Sequence, residues 1–418
     1  MGVRLATGAD VPDARVLTPA ATAWTVLGVL SAVLVHMAWT LPGGPDGLSD
    51  LRVYRGSTAE LLAGGSLYAF EAPNGDKFTY PPFAGLFLAP SALVPEAVLG
   101  VLWTLAQVGL AVLLAHLVLT RGDHLLLRRI PRPAALPVVS CVLLASYPVF
   151  SGTFLGQVSL LVTVLALADA LDLVPRRFQG VATGLAAAVK LTPLVFLPYL
   201  WLTGRRRAAG TAAATFVAAG ALSWLLLPAD SRQFWSDPTG VPGFIPLAQL
   251  DNQSLTGLAA RASWSGSGVD VAILGVSAVV AVAAYRRSQQ LHTAGRWLAG
   301  AVVVGALAVV VSPVSWSHHQ TVLVLAAACA VTGPPRWARR WPVAVLVLMT
   351  LPLPFLLPAL PPVVRPVADH LVLVLALVLA LGLPFRPRPP EPVAGPTRAE
   401  RAWETRPAQD RRRHAGRP

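Results

Sequence analysis

Residues 21–40, ATAWTVLGVLSAVLVHMAWT, run for twenty positions without an Asp, Glu, Lys or Arg. At a helical rise of about 1.5 Å per residue such a stretch spans about 30 Å, the thickness of a bilayer's hydrocarbon core. Apolar stretches of this kind recur as far as residue 384, and no convincing cleavage site follows the first, so a secretory leader does not account for them. Hydrophobic residues make up 55% of the 418 and charged residues only 13%, which places most of the chain in lipid rather than around a water-facing core. The expected fold class is an all-α polytopic membrane protein. Cys141 and Cys329 both fall inside apolar segments and read as packing residues, with no disulfide framework implied.

A net charge of +13 raises the question of nucleic acid, but the arginines gather between apolar segments: Arg121 to Arg132, Arg176 and Arg177, Arg205 to Arg207, Arg286 and Arg287, Arg336 to Arg340, and a tail beyond Arg386. That pattern follows the positive-inside rule, so these loops and both termini are expected in the cytoplasm, with no nucleic-acid partner. Crossings are then expected at 21–40, 97–120, 135–155, 158–174, 208–228, 268–284, 297–313, 320–333, 341–359 and 369–384. Residues 81–92 are too short to cross. Residues 179–203 are interrupted by Lys190-Leu191-Thr192-Pro193, and both read as broken or re-entrant elements. The expectation is about ten or more membrane segments within 21–384, a short tail at 1–20 and a disordered basic tail at 385–418.

This parity puts the loops 41–80, 229–267, 312–319 and 360–368 on the outer face, and with them most of the polar chemistry. Asp50 opens Asp50-Leu51-Arg52-Val53-Tyr54. It either caps the helix that follows or serves as a general base at the membrane surface. Tyr68 and Tyr80 lie further along the same loop, and Gln157 sits at a tight outer turn after Gly156. The run from Ser312 to Gln320 carries Trp316 and the adjacent His318 and His319, one of which suits an anionic phosphate together with Arg52. Asp251-Asn252-Gln253-Ser254 offers amides for sugar hydroxyls or for ordinary caps. Lys190, inside a broken segment, carries a buried charge that needs a partner. No HExxH, paired carboxylate or Asp-x-Asp triplet accompanies these groups, so neither a metal nor another cofactor is expected.

Asp50-Leu51-Arg52-Val53-Tyr54, Leu61 to Tyr68, Phe78-Thr79-Tyr80-Pro81-Pro82, Gly156-Gln157-Val158-Ser159, Lys190-Leu191-Thr192-Pro193, Asn252-Gln253-Ser254 and Trp316 to Gln320, taken as an ordered set, resemble the actinobacterial polytopic glycosyltransferases of family 87. The resemblance covers roughly residues 20–385. It implies the GT-C architecture and, on the outer face of the plasma membrane, metal-independent inverting transfer of α-1,2-mannose from polyprenyl-phosphate mannose to a phosphatidylinositol tetramannoside. It implies Asp50 as catalytic base and His318 or His319 beside the donor phosphate, helped by Arg52, Tyr54 and Lys190. Tyr68, Tyr80, Gln157, Asn252, Gln253 and Trp316 are then expected around the acceptor and sugars. Relatives that act on lipomannan or use a polyprenyl-phosphate arabinofuranose donor share these motifs. A lipid-linked glycan transporter is the competing class, because transporters also use broken segments.

Overall fold

The computed structural model describes residues 18–40, 47–236, 246–361 and 363–382, whose regular secondary structure is helical. Among them there is no β-strand, only an isolated bridge between Glu71 and Lys77. Most of the expected tail at 1–20, all of the tail expected at 385–418, the segment 41–46 and part of the second outer loop at 237–245 lie outside the described residues, while the first helix already begins at Pro19.

Four helices are long and apolar enough to cross a membrane: Pro19–Met37 within the helix Pro19–Thr40, Glu96–Arg121, Arg206–Leu226 and Ser267–Thr293. A fifth span is a bent pair, Arg132–Ala145 and Tyr147–Leu155, which turns by 70°. Ser146 takes extended dihedrals at the bend, and Pro148 follows inside the next turn, where it has no N–H to continue the ladder. Val271, Leu274 and Val279 of Ser267–Thr293 are about 70% exposed, which is lipid-facing surface. The chain is a multi-pass membrane protein.

Ten full crossings are not what the described residues contain. The helices at three expected crossings are short, Ser159–Ala170 (12 residues), Trp297–Val311 (15) and Leu371–Leu381 (11), against the roughly 20 that a perpendicular span needs. The stretch 320–333 carries no span-length helix: Thr321–Val324 and the tight turn Leu325–Ala328 are followed by extended Cys329. The helix Pro335–Thr350 stops where Leu351 goes extended ahead of Pro352. One of these pieces is enclosed by protein instead of lipid. Nearly every residue of Trp297–Val311 is buried, and it packs against both Ser267–Thr293 and Leu371–Leu381.

The two expected interruptions are present. Pro82–Leu88 passes into the tight turn Ala89–Leu93, and Val181–Val189 ends at Lys190, which is extended, before Thr192–Val195 and Phe196–Leu202 resume. Small residues seat the first half: a Cβ on Gly184 would stand 2.5 Å from the carbonyl oxygen of Ala212, so only glycine lets Arg206–Leu226 approach this closely.

Candidate active site

The first outer loop folds into the helix Ser49–Leu62, and helical periodicity selects which of its side chains face inward. Asp50, Val53 and Tyr54 stand at i, i+3 and i+4 and all line one cavity of about 260 Å³. Arg52, two positions after Asp50, is turned away from that face and donates from Nη2 to the carbonyl of Gly47 (2.9 Å). The expected pairing of Arg52 with a histidine around a phosphate therefore has no support in the geometry. Leu48 occupies the cap position with a left-handed backbone and no side-chain cap bond, so Asp50 lies within the first turn and is not the cap.

Gly156 holds this helix against the Gln157 turn. Its φ is +76°, and a Cβ there would meet the Cβ of Leu51 at 2.6 Å, so conformation and space both require glycine. Gln157 follows, fully enclosed, its backbone carbonyl accepting from Gln107 Nε2 (2.6 Å). Its Oε1 lies 2.8 Å from the Tyr80 hydroxyl and 3.0 Å from that of Tyr54. With the oxygen taken by the tyrosines, the amide N–H is left for Asp50, whose side chain is hydrogen-bonded by Gln157. Burial pushes the Asp50 carboxyl up from an ordinary 3.8 to about 7. The Gln157 bond and Lys190 act against that rise, and Asp76 adds to it. The group is surrounded by protein on all sides except the cavity, onto which it opens.

Trp316 and His318 line the same cavity from the 312–319 loop. Neither ring nitrogen of His318 has a hydrogen-bond partner, nor does Trp316 Nε1, although all three are buried. Buried polar groups are normally paired, and these three nitrogens are not. His319 faces elsewhere. Its Nε2 lies 2.7 Å from Lys190 Nζ, and because an ammonium can only donate, that nitrogen accepts while Nδ1 donates to the Val314 carbonyl (3.2 Å). Burial, and then the Lys190 charge, hold both imidazoles well below the usual histidine range, so both are neutral.

Lys190 also donates to Ser159 Oγ (3.0 Å) and approaches the Tyr80 hydroxyl (3.5 Å). It stands at a junction. Tyr80 lines the first cavity, whereas Lys190 and His319 line a second, apolar one walled by Val162, Ala166, Phe196 and Val322.

Three expected site residues serve the scaffold. Asn252 Oδ1 accepts from Ser254 Oγ and from the Ser315 amide (both 2.9 Å), and its Nδ2 donates to Leu247 and Pro313 carbonyls. Gln253 Nε2 donates to the carbonyls of Leu250 (2.7 Å) and Asp369 (2.8 Å), while its Oε1 accepts from the Leu373 amide (3.0 Å). Tyr68 donates to the Tyr80 carbonyl (2.9 Å) and stacks on Phe234. None of the three lines the cavity. The sequence gives no separate prominence to Asp76 and Asp251, which do line it; the signal for Asp251 was its place beside Asn252 in an outer loop. Among the described residues, no three His, Cys, Asp or Glu side chains come together as a metal-holding group.

Residues 78–313, over half of the chain, match the family model for glycosyltransferase family 87. The chain belongs to that family. It is 32% identical over 342 residues, 78% of this chain and 80% of the relative, to a Mycolicibacterium smegmatis protein described as a polyprenol-phosphate-mannose-dependent alpha-(1-2)-phosphatidylinositol pentamannoside mannosyltransferase. It is 31% identical, across 76% of this chain and 78% of the relative, to a Mycobacterium tuberculosis protein described as a polyprenol-phosphate-mannose-dependent alpha-(1-2)-phosphatidylinositol mannoside mannosyltransferase. No solved structure is a significant match. Family 87 membership makes the protein a glycosyltransferase, and the transporter alternative gives way to it.

Proposed function

We propose that the chain is an inverting, polyprenyl-phosphate-mannose-dependent α-1,2-mannosyltransferase that extends a phosphatidylinositol tetramannoside at the outer face of the plasma membrane. The observation that carries this is one cavity wall. Asp50, its carboxyl raised to about 7, shares a cavity with the unpartnered His318 and Trp316, one tyrosine away from Lys190 and an apolar second cavity. The names borne by the family 87 relatives supply the donor and the type of acceptor.

Asp50 takes the proton of the acceptor 2-hydroxyl as that oxygen attacks the anomeric carbon, and the polyprenyl phosphate departs on the opposite side, which inverts a β-linked donor. A base of about 7 suits this work, because it is partly ionised at neutral pH and still strong enough to accept the proton. Lys190 meets the charge that develops on the leaving phosphate, replacing Arg52 in that role. His319 orients the ammonium, and the apolar cavity beside it takes the first part of the polyprenyl tail. His318 and Trp316 bind the transferred sugar, with Tyr54, Tyr80 and Gln157 holding the base.

The short buried helices complete a GT-C-like catalytic domain over 21–384, with the first outer loop at 41–80 and the second at 229–267. The basic loops and both tails are cytoplasmic by the positive-inside rule. The test is to incubate the purified protein with polyprenyl-phosphate mannose and phosphatidylinositol tetramannoside and to treat the product with an α-1,2-specific mannosidase. A gain of a single hexose that the mannosidase removes is expected. No gain with this acceptor, but one with arabinofuranose donors or lipomannan, would sink the assignment.

A further inference from the structure

The cavity holds a carboxylate that catalysis by Asp50 leaves unused. Asp251 lines it together with Asp50 and Asp76. The Ser317 hydroxyl donates to Asp251 Oδ1, tying the carboxylate to the segment that presents Trp316 and His318. Arg261 fixes the backbone on either side, donating to the carbonyls of Gln249 (2.9 Å) and Asn252 (2.8 Å). The web around Asn252 and Gln253 thus serves to hold Asp251 in place before any ligand arrives.

The charges around the cavity are unevenly distributed. Lys77 also reaches this wall, its ammonium paired with Glu71 (3.0 Å), so the carboxyls of Asp50, Asp76 and Asp251 outnumber the cations lining the cavity, although burial raises the pKa of Asp50 and Asp251. The buried cation, Lys190, lies at the far junction beside His319. A phosphate is repelled from the first region and drawn to the second, whereas neighbouring sugar hydroxyls donate well to carboxylates. His318, whose buried ring nitrogens have no protein partner, lines the same cavity as Asp251.

We propose that Asp251 is an acceptor-binding residue that accepts hydrogen bonds from the hydroxyls of a neutral mannosyl unit, so that the acceptor enters sugar-first and its own lipid phosphate stays outside the chamber. This rests on the mannosyltransferase assignment for the identity of the sugar. The carboxyl-rich wall then acts as a filter. It admits an oligosaccharide long enough to reach Asp50 while its phosphoinositol end remains at the membrane surface, and it leaves Lys190 to the donor.

The test measures binding rather than turnover. Octyl α-mannobioside and a short-chain polyprenyl phosphate are titrated calorimetrically into the full-length protein and into Asp251→Asn. The expected result is that the mannobioside binds about ten-fold more weakly to the variant, the scale of one charge-assisted hydrogen bond, while polyprenyl phosphate binds equally to both. Equal mannobioside binding by parent and variant overturns the proposal, and so does a parent that binds no mannobioside. Should Asp251→Asn lose both ligands, Ser317→Ala decides. It keeps the carboxylate and removes its anchor, so selective weakening of the mannobioside supports the proposal and no change overturns it. A parent that binds mannobioside through Asp251 yet transfers no mannose would sink the transfer assignment and leave the recognition role standing.

Discussion

The raised carboxyl of Asp50 makes a quantitative prediction about pH. If Asp50 is the base, kcat/KM, the rate at limiting acceptor, follows its ionised fraction in the free enzyme. With a midpoint of about 7, that fraction is about one-tenth at pH 6 and one-half at pH 7, so the acid limb rises ~5-fold over that unit; burial also lowers the Lys190 ammonium, so the profile turns down at higher pH. A carboxyl at its ordinary 3.8 would be ionised throughout and leave no acid limb. The two histidines add no step to this window, since burial keeps both neutral across it. The Gln157 hydrogen bond favours the charged form, so Gln157→Leu is expected to displace the acid limb to higher pH. Initial rates of radiolabelled mannose transfer between pH 5.5 and 8 measure both effects. A rate that does not change over that range, or a limb unmoved by Gln157→Leu, refutes the reasoning.

Lys190→Gln removes the buried cation at the junction of the two cavities and is expected to lower kcat, and with it kcat/KM for polyprenyl-phosphate mannose, by at least ~10-fold, in steady-state kinetics with acceptor KM little altered. Gly156→Ala places a methyl group on Leu51 in a left-handed backbone and is expected to cost about 2 kcal/mol or more, read as a lower thermal midpoint, and to slow transfer by displacing the helix that carries Asp50. Asn252→Ala removes the partner of the Ser315 amide and of the Leu247 carbonyl and one of the two donors to the Pro313 carbonyl, which keeps Ser254 Oγ. A loss of about 2–4 kcal/mol follows, measured by thermal unfolding in detergent, with residual activity at low temperature if the amide only supports the scaffold.

Apolar length made the long helices legible in advance: Glu96–Arg121 and Arg206–Leu226 begin and end within two residues of the expected limits. The interruption at Lys190 was legible too, because a charge followed closely by a proline in an apolar run disfavours a continuous helix. The helix face that carries Asp50 and Tyr54 follows from periodicity alone. The same periodicity places Arg52 on another face of the helix, away from the cavity. The short helices were not legible. Hydropathy records that Trp297–Val311 is apolar, but not that neighbouring helices enclose it in place of lipid. Nor does any local signal tell His318 from His319. Their roles separate only because Lys190, 129 positions away, takes one ring as its partner. Asn252 and Gln253 carry the same amides whether they bind sugars or carbonyls, and the fold spends them on carbonyls.

The most direct measurement is transfer of radiolabelled mannose from polyprenyl-phosphate mannose to purified phosphatidylinositol tetramannoside by the parent protein and by Asp50→Asn, which keeps the side chain's shape. The parent is expected to make the pentamannoside, and the variant, folded with an unchanged thermal midpoint or a higher one, to be slower by at least ~100-fold. Transfer by Asp50→Asn at the parent's rate would contradict the assignment of the base and, with it, the active site described above.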